Sequence, residues 1–173
     1  ATTRRARLYI VRNAEDIESV ASLGVDPLSD AFTVEFLVQR FHGLRRQVKR
    51  ALTDQRMIAG IGTVYADEIL YAARLSPIRY VSTLSHQEIE RLHRETRVVL
   101  RAAIERIGSR AGDRLVAPHP RDTLRVVKRT GQPCPVCGTL IAEIRYAQTK
   151  TYYCPTCQSS GKTIRDRRAW LTR

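Results

Sequence analysis

Four cysteines carry the clearest chemistry in the chain. They stand as Cys134-Pro135-Val136-Cys137 and Cys154-Pro155-Thr156-Cys157, with sixteen residues between the pairs. Each Cys-x-x-Cys lets two thiolates converge from one tight turn, and two such turns complete a closed tetrahedral S4 site, the geometry of structural zinc. Two disulfides and a redox dithiol are the competing readings. The first is disfavoured by the lack of a secretory signal, and a redox pair needs no duplicate at this spacing. One structural Zn2+ is therefore expected on Cys134, Cys137, Cys154 and Cys157. With all four positions filled by protein, no site is left for a catalytic water, so the metal is scaffolding.

A second chemistry is phosphate binding. Gly60-Ile61-Gly62-Thr63 directly precedes a helical pattern. Two glycines allow a backbone to approach a ligand closely, and a helix N-terminus offers unpaired N–H groups and partial positive charge. Thr63 is expected to cap that helix and to touch phosphate. A Gly-x-Gly turn that serves only packing is the bland alternative, and the basic stretch Arg45, Arg46, Lys49 and Arg50 weighs against it. No acid lies between Glu35 and Asp54, so this stretch is uncompensated.

Charge over the whole chain points the same way. The 173 residues hold 30 Lys and Arg against 17 Asp and Glu, a formal charge of +13. From Arg121 onward there are eleven basic residues against three acidic ones, so two basic patches suggest a bipartite grip on a polyanion. No apolar run approaches the roughly 18 residues of a membrane span. Ala1-Thr2-Thr3-Arg4-Arg5 has no apolar stretch behind it to make a signal peptide. Nucleic acid rather than membrane is the expected partner, and a cytoplasmic, nucleoid-associated location the expected place.

The elements that position these residues are mostly helical. Arg7-Leu8-Tyr9-Ile10-Val11 reads as one strand without a neighbour. After the break at Asp26-Pro27, Ser29 or Asp30 is expected to cap a helix carrying Phe32, Phe36, Leu37 and Phe41, stopped by Gly43. A short helix is expected over 46–53 and another over 63–74, ended by Pro77. Ser85-His86-Gln87-Glu88 is a capping box that opens a helix with Ile89, Leu92, Thr96, Val99, Ala103 and Ile107, with Gly108 as its stop. Residues 108–125 read as a linker. Residues 139–142 and 145–153 read as the two strands of a hairpin between the cysteine pairs. So small a hairpin cannot fold without its metal. The expected fold is mainly α: a small helical bundle followed by a zinc-binding β-hairpin, or zinc finger.

At this point the residues match a known family. Lys49-Arg50-Ala51-Leu52-Thr53-Asp54-Gln55, then Ile58-Ala59-Gly60-Ile61-Gly62-Thr63-Val64-Tyr65-Ala66-Asp67-Glu68-Ile69-Leu70, and Pro77 after Leu75 resemble the helix-two-turn-helix domain of the Fpg/Nei glycosylases, formamidopyrimidine-DNA glycosylase and endonuclease VIII. Asp26-Pro27-Leu28-Ser29 matches its entry. The cysteine hairpin after Lys128-Arg129-Thr130-Gly131-Gln132-Pro133 resembles the family's zinc finger, ending in Cys157-Gln158. The resemblance runs from about 23 to 158. It implies residues 1–22 as a remnant of the catalytic domain's last strand and linker, 23–120 as the helix-two-turn-helix domain, 121–158 as the zinc finger and 159–173 as a basic tail.

The resemblance also implies a function, DNA binding in base-excision repair, with damaged or abasic duplex DNA as partner. The family's proline nucleophile and neighbouring glutamate have no counterpart here, so the chain is expected to be inactive as a glycosylase and AP lyase by itself, a separate domain or partner supplying the chemistry. The family's phosphate-binding asparagine falls at Thr63, and its intercalating arginine at Thr149, beside Lys150. Thr makes fewer contacts than either, and Lys150 lies on the opposite face of a strand. The expected nucleic-acid contacts are Arg45, Arg46, Lys49, Arg50, Gly60, Gly62, Thr63, Arg129, Thr149 and Lys150. Glu68 matches a family glutamate that positions the catalytic amine; without that amine a surface or capping contact is expected. Tyr146 and Trp170 are possible stacking residues, and the four histidines receive no role. RNA or ribosome binding is the alternative function. An enzyme using Lys49 or the amine of Ala1 as nucleophile is the third.

Overall fold

The computed structural model describes residues 10–111, 124–146 and 149–164. Six helices and one strand pair are described: α1 Glu18–Ala21, α2 Val34–Phe41, α3 Val48–Leu52, α4 Thr63–Ala72, α5 His86–Ala111, β1 Ala142–Tyr146, β2 Thr149–Tyr153 and α6 Pro155–Ser159. Most of the strand expected over 7–11, most of the linker and the Trp170 tail lie outside the described residues. The described end, Ile10, is almost fully exposed and in no strand.

A single apolar core closes the helical part. Leu37 and Phe41 of α2, Val48 and Leu52 of α3, Ile69 and Leu70 of α4 and Leu92 of α5 are all buried in it, with Phe32, Ile58 and Ile61 from the loops. α4 packs against α3, α5, β2 and α6, so both of its faces are covered. Only a predominantly apolar helix tolerates that, and the two acids it carries, Asp67 and Glu68, must then find partners inside.

Several boundaries differ from the sequence reading, each for a local reason. α2 is capped by Thr33, whose hydroxyl accepts the Phe36 N–H (3.0 Å), not by Ser29 or Asp30, so Phe32 precedes the helix and fills the core from a loop. Gly62 rather than Thr63 is the N-cap of α4, and no side chain closes that end. The capping box of α5 forms: Ser85 N–H donates to Glu88 Oε2 (2.8 Å) and Glu88 N–H to Ser85 Oγ (3.3 Å). Gly108 does not stop α5, which runs on to Ala111; a glycine in an exposed helix costs only about 1 kcal/mol. α4 ends at a left-handed Arg74 (φ 53°), with Leu75 N–H reaching back to Leu70 O (2.9 Å) and Pro77 following.

The connection from α3 to α4 is stapled twice. Gly24 and Val25 donate to Gln55 O and Met57 O (2.7 and 3.2 Å), so close that a Cβ on Gly24 would stand 2.3 Å from the Met57 backbone. The Gln55 amide then ties the turn itself, accepting from Gly60 N–H (2.8 Å) and donating to Ile61 O (2.9 Å).

β1 and β2 pair antiparallel, with Ala142 opposite Tyr153 and Tyr146 opposite Thr149. The hairpin therefore starts later than expected. Residues 139–141 are used instead to close the first cysteine turn: Cys134 N–H donates to Thr139 O (2.8 Å) and Ile141 N–H to Gln132 O (2.9 Å). Among the described residues no helix is long and apolar enough to cross a membrane.

Candidate metal centre and nucleic-acid interface

The four sulfurs of Cys134, Cys137, Cys154 and Cys157 lie within 4.8 Å of one another. Cys134 Sγ is 3.9 Å from Cys157 Sγ, and Cys137 Sγ is 3.4 Å from Cys154 Sγ. A tetrahedral ZnS4 centre with bonds of about 2.3 Å has sulfurs roughly 3.8 Å apart, so the donor set fits one structural zinc. The second pair sits on α6: Pro155 takes the first helical position and the Cys154 sulfur accepts from Cys157 N–H (3.5 Å). Hydrogen bonding to Thr139 pulls the Cys137 thiol down to about 6, which favours its thiolate. Burial pushes the Cys154 and Cys157 thiols up, so a metal ion has to expel their protons on binding.

The zinc module is fastened to the end of the helical domain by polar contacts, of which the Glu68 cap agrees with the capping contact expected from the sequence. Glu68 is buried: Oε2 accepts Arg125 N–H (2.9 Å), and Oε1 accepts Val126 and Val127 N–H (3.0 Å each). It caps the segment leading into the zinc finger. Tyr71 OH lies 3.2 Å from Cys134 Sγ. Gln158 accepts Cys154 N–H (2.8 Å) and donates to Leu75 O (2.9 Å). Adjacent acids in a helix that is otherwise apolar on both sides were the available signal for Glu68 and Asp67; for Gln158 the signal was its place after Cys157 in the family's motif, which carries no hint of its partners.

Of the expected nucleic-acid contacts, Lys49, Arg50, Thr63 and Thr149 line one cleft of about 140 Å3, together with Gln47, Thr53, Thr151 and the apolar Pro77, Ile78 and Ile144. Thr63 is exposed on the first turn of α4. Thr149 and Thr151, two apart on β2, share the face turned to the cleft, whereas Lys150 Nζ donates to Glu143 Oε1 (3.0 Å). Arg45, Gly60 and Gly62 are exposed outside this lining; Gly60 has φ 79°, a left-handed turn position. Arg46 is paired with Asp54, and Arg129 Nε donates to Gln132 Oε1 (2.9 Å). The side chain of Tyr146 lies outside the described residues. His93 packs on Phe32 and its Nε2 meets the Phe32 carbonyl (2.8 Å), a structural contact.

Lys49 corrects the sequence reading. It is not an open phosphate ligand: the residue is 8% exposed. Its ammonium lies 2.7 Å from Asp67 Oδ1 and donates to Thr151 Oγ1 (2.8 Å) and Lys150 O (3.1 Å). Three acceptors around one nitrogen suit an ammonium with no free lone pair, which is the opposite of a nucleophilic amine. Among the described residues Asp67 Oδ1 is met by the Lys49 ammonium, while Oδ2 accepts Tyr152 N–H (3.0 Å). Burial raises the Asp67 carboxyl to about 6 against the pull of Lys49, and burial likewise lowers the Lys49 ammonium. Desolvation thus outweighs attraction for both partners.

A helical domain carrying an exposed helix N-terminus, bolted to a four-cysteine finger across a basic cleft, defines a class of zinc-bearing nucleic-acid-binding proteins. Comparisons narrow the class. Residues 23–113 match the formamidopyrimidine-DNA glycosylase H2TH domain, and residues 131–159 match the zinc finger found in FPG and IleRS. The chain belongs to the Fpg/Nei family. It is 42% identical over 157 residues to a formamidopyrimidine-DNA glycosylase of Symbiobacterium thermophilum, covering 87% of this chain and 51% of that one. It is 40% identical over 148 residues to an uncharacterized formamidopyrimidine-DNA glycosylase-like protein of Mycobacterium tuberculosis, covering 85% of this chain and 91% of that one. The crystal structure of the MutM (Fpg) protein of Thermus thermophilus superposes with a TM-score of 0.73 at 35% identity, over 85% of this chain and 57% of that one. Fpg of Lactococcus lactis in complex with DNA containing an abasic site gives 0.71 at 27% identity, over 80% and 52%. The chain spans about half the length of most of these relatives.

Proposed function

We propose that this chain is a DNA-gripping unit of base-excision repair, which holds duplex DNA at a damaged or abasic nucleotide and does not itself excise bases. α3, the turn over 53–62 and α4 form the helix-two-turn-helix, with 23–120 as its domain and 121–158 as the zinc finger. The observation that carries the reading is the cleft. It is lined by Thr63, at a helix N-terminus that no side chain caps, by Arg50 and by Thr149 of the hairpin. A helix start without a side-chain cap, the Thr63 hydroxyl and the basic Arg50 along one cleft suit a backbone phosphate. The Lactococcus lactis relative solved with abasic DNA supports the choice of duplex. The engagement of Lys49 by three acceptors supports the non-catalytic part.

The deciding experiment is borohydride trapping on an abasic duplex, with a binding titration on the same duplex across salt. The expected result is no adduct and a binding constant that falls by about 0.9 log units per log unit of salt for each phosphate contacted. A covalent adduct overturns the non-catalytic reading. Binding that appears only with structured RNA at matched salt overturns the DNA reading.

A further inference from the structure

We infer that Asp67, acting through Lys49, is a positioning residue that sets the hairpin of the zinc finger against the start of α4, and with it the width of the phosphate cleft. The inference rests on the DNA-binding reading above. Its basis is where the attachments lie. Glu68 to Arg125–127 N–H, Tyr71 to Cys134 and Gln158 to Leu75 all fasten the cysteine end of the module. Asp67 and Lys49 of the helical domain hold the hairpin itself: Tyr152 N–H donates to Asp67, and the Lys49 ammonium to Thr151 Oγ1 and Lys150 O.

Asp67 is one turn beyond Thr63 on α4, and Thr151 is two residues from Thr149 on the same face of β2. The strut therefore lies one helical turn from Thr63 and one same-face step from Thr149, the two threonines that line the cleft from α4 and from β2. Ile144 also faces the cleft beside Pro77 and Ile78, but apolar contact is non-directional and fixes no angle. Without the strut the hairpin keeps its zinc and pivots about its cysteine end.

The test exploits a sign. Removing a carboxylate near a phosphate seat favours DNA electrostatically, so a charge effect makes Asp67→Asn bind more tightly; a strut makes it bind more weakly. For Asp67→Asn in the full chain with zinc bound, the expected results are one zinc retained, faster hydrogen exchange at the Tyr152 amide, and an affinity for abasic duplex reduced about tenfold. Lys49→Met is expected to lower affinity with an unchanged salt slope, because no phosphate contact is lost. Thr151→Val, which deletes one acceptor and no charge, gives the same direction at smaller size and decides the matter where Asp67→Asn does not fold. Tighter or unchanged DNA binding, or an unchanged Tyr152 exchange rate, overturns the strut. Wild-type protein that binds no duplex overturns the function reading instead, and the Tyr152 exchange rate then still decides whether Asp67 holds the hairpin.

Discussion

The helical domain and the zinc module solve the same problem with different material. Among the described residues sixteen buried ones form the helical core, mostly large aliphatic and aromatic side chains drawn from four helices and their loops. The zinc-side cluster has seven, of which Tyr71 belongs to α4 and two are the metal ligands Cys134 and Cys154. Its four aliphatic side chains, even with the buried Ile144 and Tyr153 of the hairpin, cannot offset the ordering of about thirty residues at more than 1 kcal/mol each. One region is held by apolar burial; the other needs a metal and a neighbour. Polar strapping to α4 follows from that shortage, because buried carboxylates such as Glu68 do for the finger's backbone what a larger sheet does elsewhere.

The largest effect that separates the two regions is loss of the metal. Cys134→Ser, or chelation of the wild type, removes a binding free energy on the order of 10 kcal/mol that is also the folding energy of the finger. The amide dispersion of β1 and β2 should collapse while the far-ultraviolet helical signal persists. Leu70→Ala should do the converse, lowering the helical transition by about 2–5 kcal/mol. A Cys134→Ser protein that keeps both zinc and hairpin breaks the comparison.

A smaller effect probes the seam between the regions. The Asp67 carboxyl is raised from its ordinary 3.8 to about 6, so the folded chain binds this proton more tightly than the unfolded chain. Stability from this group therefore grows as pH falls from about 6 to about 4, by roughly 3 kcal/mol at about 1.4 per unit, and is flat below. Glu35 and Glu143, held below the ordinary value by hydrogen bonds, act in the opposite sense. They cancel when wild type is compared with Asp67→Asn in urea at each pH. A difference between the two proteins that stays constant from pH 7 to 4 shows that Asp67 is not buried as a charge.

The two regions were also unequally legible. Helix periodicity and the Ser85 capping box located α2 and α5, because apolar spacing and capping are local signals. The cysteine spacing gave the metal site for the same reason. The strand bounds of the hairpin differ from 139–142 and 145–153 because Thr139 and Ile141 pair with the cysteine turn, a choice made by tertiary hydrogen bonds. Lys49 was misread for a related reason. Its neighbours Arg45, Arg46 and Arg50 make a basic run, yet α3 turns Lys49 alone inward onto an acid eighteen residues away, and no local pattern encodes that pairing. Of the cleft, Thr63 came from its place after Gly60-Ile61-Gly62 at a helix start and Thr149 from the family resemblance, while Thr151 and Asp67 came only from the fold.

The smallest effect distinguishes a threonine that builds the helical domain from one that serves the cleft. Both Thr33 and Thr63 stand at helix starts, but Thr33 accepts the Phe36 N–H and Thr63 makes no cap. Thr33→Ala should cost about 1 kcal/mol of stability and leave DNA affinity unchanged. Thr63→Ala should leave stability within about 0.5 kcal/mol, since alanine suits a first helical turn, and should weaken abasic-duplex binding by about 1 kcal/mol. Paired melting and binding curves read both quantities. If Thr63→Ala melts lower and binds as before, Thr63 belongs with Thr33 as a structural residue, and the phosphate seat at the start of α4 rests on backbone N–H groups alone.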